Sequence, residues 1–80
     1  MAHFEAEAAP SSDAFFELGL MYSTGRTVPT DRVEAHKWFN LAAVKGHREA
    51  VRLRKELADE MNEMEVSIAQ RAAREWLRSH

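Results

Sequence analysis

Ala35, Trp38, Phe39, Ala42 and Ala43 recur at the i, i+3, i+4, i+7, i+8 spacing of a helix with one buried face, and this stripe constrains the chain more than any other feature. Upstream, Ala14, Phe15, Leu18, Met21 and Tyr22 mark a comparable face, with Gly19 inside it. A glycine within a helix costs about 1 kcal/mol relative to alanine. Gly19 therefore implies close approach of a partner helix, with Trp38 or Phe39 packed on its bare backbone. Gly25 is placed to close the first helix in the left-handed conformation, and Val28-Pro29 to continue as an extended connection. Asp31 with Glu34 carries a capping-box signature at the start of the second helix, and Gly46 ends it. Residues 14–46 thus predict a helix hairpin whose core is Ala14, Leu18, Gly19, Met21, Tyr22, Ala35, Trp38, Phe39, Ala42 and Ala43.

The chain has 80 residues, enough for one small domain, with three glycines and two prolines, which favours an all-helical fold. It has no cysteine, so disulfides and thiolate chemistry are excluded. The start, MAHFEAEAAP, lacks the basic and apolar regions of a signal peptide, and no apolar run approaches a membrane span, so a cytoplasmic protein is expected. Residues 1–11 read as a flexible arm in which Phe4 is the one residue able to dock. The first helix is expected to start after a cap at Ser12. His47 and Arg48 open a third segment with the stripe Ala50, Leu53, Leu57 and Met61, widened by Val51 and Ala58. Asn62 with Glu65 is a second capping-box signature and predicts a break before a fourth helix.

That fourth helix carries Ala69, Ala72, Ala73, Trp76 and Leu77 at the spacing of the second. A shift of 38 residues superposes Ala35 on Ala73 and Trp38 on Trp76, which adds Trp76 to the expected core. Residues 47–80 therefore read as a degenerate second hairpin, atypical as the terminal unit of an array must be. The expected fold is an all-α antiparallel array of about four helices, divided into an arm (1–11), a first hairpin (12–46) and a capping hairpin (47–80).

The ordered set Ala14, Leu18-Gly19, Met21-Tyr22, Gly25, Val28, Asp31, Ala35, Trp38-Phe39, Ala42-Ala43 and Gly46 resembles a Sel-one-like repeat, a relative of the tetratricopeptide repeats. The resemblance implies an α-α superhelix used for protein recognition rather than chemistry. Residues 47–80 are similar, less closely, to the closing segment that follows the last repeat in many bacterial members. Thr27 departs from the pattern: the family usually has glycine there, and a β-branched residue disfavours the positive φ that glycine permits.

No residue pattern points to catalysis, a cofactor or a metal. The four histidines, at positions 3, 36, 47 and 80, have no i, i+4 partner, and His36 is expected at a flank of the second helix. Glu56, Asp59, Glu60, Glu63 and Glu65 read as a solvated surface. Lys45, Arg48, Arg52, Arg54 and Lys55 form a basic cluster opposed only by Glu49, with Arg48, Arg52 and Lys55 on one helical face. A nucleic-acid-binding regulator using that face is the alternative function. A pI near 6.1 argues against it, because nucleic-acid-binding domains are typically above ~9. The favoured function is a non-catalytic protein-interaction module. Phe16, Leu20, Asn40, Leu41 and Val44 fall off the internal seam of the first hairpin and are the candidate partner-binding residues, beside Arg48, Arg52 and Lys55. Hairpins of this type bury their faces by stacking. A chain with fewer than two good copies is therefore expected to self-associate, most simply as a two-fold dimer through Phe16, Leu20 and Leu41.

Overall fold

Capping chemistry sets the start of every helix. Ser11, one residue earlier than expected, caps α1 (Ser12–Thr24): its hydroxyl accepts the Ala14 amide at 3.2 Å, and Asp13 lies in the positive first turn. Gly25 closes α1 in the left-handed conformation at φ 71°, its amide donating to Met21 O at 3.0 Å. The chain then turns back, and the Asp31 amide reaches Tyr22 O at 3.0 Å. Asp31 caps α2 (Arg32–Val44) by accepting the Glu34 amide at 3.1 Å. The reciprocal half of the expected capping box is not made, because the Glu34 carboxylate instead accepts from Trp38 Nε1 at 3.0 Å and pairs with Lys37. At the far end Gly46 N–H donates to Ala43 O and His47 N–H to Ala42 O, the paired bonds of a Schellman motif, with Gly46 at φ 94°. His47 caps α3 (Arg48–Ala58), its Nδ1 accepting the Ala50 amide at 3.2 Å. Asn62 and Glu65 form a complete capping box, at 2.8 and 3.0 Å, that starts α4 (Glu63–Ser79).

This computed structural model describes residues 11–80, so nearly all of the expected arm, Phe4 included, lies outside the described residues. The all-α class is the one adopted. Among the described residues only Gly25 and Gly46 have positive φ, so the loop closes without it at Thr27. No described helix is long and apolar enough to cross a membrane.

α2 is the hub, packed against each of the other three helices. It is accordingly buried on more than one face: Ala35, Phe39 and Ala42 lie in the core, and so do His36 and Leu41, at 2% and 1% exposure. His36 is thus not at a solvated flank, and Leu41 belongs to the core rather than to a partner surface. α3 and α4 depart from the expected second hairpin in that both pack on α2 and not along each other. Trp38 and Trp76, equivalent under the internal repeat, meet edge to face with centroids 5.8 Å apart. Phe15, fully buried, stacks on Trp38 at 5.8 Å and meets Trp76 edge-on at 5.1 Å, joining α1 to the end of α4. Other expectations are corrected as well. Ala14 is exposed rather than buried, and Val51 and Leu77 are 45% and 42% exposed. Phe16 is half-buried between Phe39 and His47, stacked on the imidazole at 4.1 Å. Leu18 and Met21 are half-buried, and Tyr22 and Ala43 pack on the core from its edge.

Gly19 is buried, and the neighbour that requires it is Phe39. A β-carbon placed there would lie 2.5 Å from Phe39 Cε1 and 3.0 Å from its Cγ, so the whole ring would have to move. Overpacking of this kind costs about 1–3 kcal/mol, against at most about 1 kcal/mol of helix propensity returned. Gly19→Ala is therefore expected to lower stability, and urea unfolding with an unchanged slope checks the sign. A midpoint above that of the parent would remove the close-approach explanation.

Candidate functional site

Two concavities flank the hub helix, and their chemistries differ. The first is a groove between α1 and α3 of about 250 Å³. Leu20 of α1 and Leu53 and Leu57 of α3 form its apolar sides over the Phe39 ring, and Glu56 and Glu60 stand at its acidic margin. Polar contacts lie near both of its ends. At one end His47 caps α3 through Nδ1, and its Nε2 lies 3.4 Å from Asp13 Oδ1 of α1. At the other, Arg32 of α2 donates to Glu60 O at 2.7 Å.

The second concavity, about 350 Å³, is the gap left where α3 and α4 splay over α2. His36 and Asn40 form its floor, and Arg54 and Lys55 of α3 face Gln70 of α4 across it. Arg54 Nη1 donates to Asn40 Oδ1 at 2.6 Å. His36 Nδ1 is buried without a hydrogen-bond partner. Burial pushes the His36 imidazole below its ordinary pKa, and the nearby Arg54 guanidinium adds to the effect.

That shift has a sign. The unfolded chain takes up the His36 proton at its ordinary pKa while the folded chain resists it, so the folded state is favoured fully above that pKa and loses the advantage as pH falls toward the depressed value. The charged groups facing the imidazole, Arg54 and Lys55, are both cationic, and α4 presents uncharged Val66 and Gln70. The melting temperature is expected to drop between pH 7 and pH 5, and His36→Gln to remove part of that drop. An identical pH dependence in the variant would exclude His36 as a source.

The candidate partner residues divide between these features. Leu20 lines the groove, and Asn40 and Lys55 line the cleft. Val44 is 63% exposed at the end of α2. Arg48 is exposed, whereas Arg52 is held between Glu49 and Glu56, and its guanidinium keeps the Glu49 carboxyl below the usual carboxylate range. The basic face is thus opposed by Glu56 as well as Glu49. The surface expected to carry a dimer is largely taken up inside the chain: Leu41 is buried, and Phe16 and Leu20 pack on the core. Among the described residues no group of three or more His, Asp or Glu converges to hold a metal ion. Comparison of the chain with family models, curated proteins and solved structures returns no match.

Proposed function

We propose that this chain is a non-catalytic protein-recognition module of the Sel-one-like kind, binding an apolar peptide segment with basic flanking residues in the groove between α1 and α3. One observation carries the reading: the groove has an apolar floor supplied by three helices, Leu20, Phe39, Leu53 and Leu57, beside the carboxylates of Glu56 and Glu60. Apolar floors of this kind give anchoring side chains a desolvated seat, and an acidic margin selects basic neighbours and accelerates encounter. The nucleic-acid alternative has less support, because Arg52 is engaged by two carboxylates. Self-association, if it accompanies recognition, would use Val44, Met64, Ile68 and Leu77, whose apolar side chains are 42–68% exposed, rather than the outer face of the first hairpin.

The test is selection of a random peptide library on the immobilised chain, followed by anisotropy measurements on the enriched sequences. Apolar sequences with Lys or Arg flanks are expected, with affinity falling as salt rises. Leu53→Glu should abolish binding. Glu60→Lys, an exposed change that leaves the Arg32 bond to the backbone intact, should weaken it about tenfold, the scale of a charge pair. Full binding by both variants would overturn the assignment.

A further inference from the structure

The cleft between α3 and α4 combines features that the groove lacks. No carboxylate lines it, although Arg54 and Lys55 both do. Arg54 is half-buried, and among the described residues its hydrogen bond is the one Nη1 makes to Asn40. A guanidinium has five N–H donors, so the Asn40 contact orients the group while leaving most of its donor capacity unused. On the floor His36 is 2% exposed, with a ring nitrogen that is buried and unpartnered. Buried polar atoms are ordinarily satisfied, and here the unpartnered imidazole nitrogen and the spare guanidinium donors leave hydrogen-bonding capacity unused, which for the donor-only guanidinium calls for an acceptor. The walls beside these donors are aliphatic, Val66 among them.

We propose that this cleft binds a peptide carboxylate, either a C-terminal carboxylate or an Asp or Glu side chain, with Arg54 and Lys55 supplying the charge and His36, Asn40 and Gln70 the remaining polar contacts. A guanidinium fork matches the two oxygens of a carboxylate, and the aliphatic walls accommodate the carbon attached to it, which free phosphate lacks. Burial and Arg54 disfavour the charged form of His36, so the charge of the site comes from Arg54 and Lys55.

The experiment is a chemical-shift titration of the full chain with N-acetyl-alanine, N-acetyl-aspartic acid α-amide, N-acetyl-alaninamide and inorganic phosphate. One or both carboxylate probes should saturate signals from His36, Asn40 and Gln70 while the alaninamide leaves them unmoved, and the tighter of the two names the source. Arg54→Gln should reduce affinity at least about tenfold, the loss expected of a charge-assisted hydrogen bond, and Lys55→Gln, at an exposed position, should weaken it without touching the fold. Absence of saturation, equal response to the alaninamide, tighter binding of phosphate, or affinity unchanged in both variants would each overturn the proposal. None of these outcomes depends on the α1–α3 groove.

Discussion

Phe39→Ala is expected to lose about 3–5 kcal/mol of stability, the range for removing a buried phenylalanine. A chain of 80 residues has about 4–12 kcal/mol in total, at roughly 0.05–0.15 kcal/mol per residue, so the loss takes most of what holds it folded. Phe39 is 1% exposed and fills the space over Gly19, against Phe16 at 5.7 Å, while its ring also floors the groove. Gly19 has no side chain with which to fill the vacancy. Thermal melts followed by circular dichroism should lose cooperativity or shift to a much lower midpoint. A variant that melts with the parent would contradict the packing described for the first hairpin.

Phe15→Ala is expected to cost a similar amount, about 3–5 kcal/mol including its aromatic pairs, with a different signature. Phe15 is fully buried and touches both Trp38 of α2 and Trp76 of α4. Its removal should loosen the end of α4 first, exposing Trp76 to water while the α1–α2 pair still holds. Tryptophan emission should move to longer wavelength at temperatures where helical ellipticity is largely retained. Coincident transitions by the two probes would show that Phe15 does not join α4 to the hairpin.

The features legible in the sequence are those decided locally. Gly25, Gly46, Asp31 and the Asn62–Glu65 pair mark helix ends through bonds made within a few residues, and each does so in the folded chain. Gly19 was legible as a contact because its cost demanded one, though pattern alone could not choose between Trp38 and Phe39. Ser11 and Ser12 are chemically identical neighbours, so the cap could be misplaced by one. What was not legible depends on how α3 and α4 seat on α2. Leu41 sits two residues from Phe39, on another side of the helix, and whether it meets solvent is decided by elements distant in the chain.

The candidate sites divide in the same way. Leu20 could be singled out as lying off the hairpin seam, but Leu53 and Leu57 look like ordinary core positions, and only the spacing of α1 and α3 leaves them lining a groove. His36 and Arg54 are unremarkable separately. Their convergence depends on how α3 seats on α2, for which no motif exists. An imidazole capping α3 while close to Asp13 likewise has no sequence signature beyond its position after Gly46.

The recognition proposal is tested most directly by titrating the isotopically labelled full chain with the tightest peptide recovered from library selection and mapping the shifted signals. The account predicts saturable changes centred on Leu20, Ser23, Leu53 and Leu57, with Glu56 and Glu60 beside them, and their loss in Leu53→Glu. Changes centred instead on Met64 and Ile68 of α4, or no saturation at any peptide concentration, would contradict it.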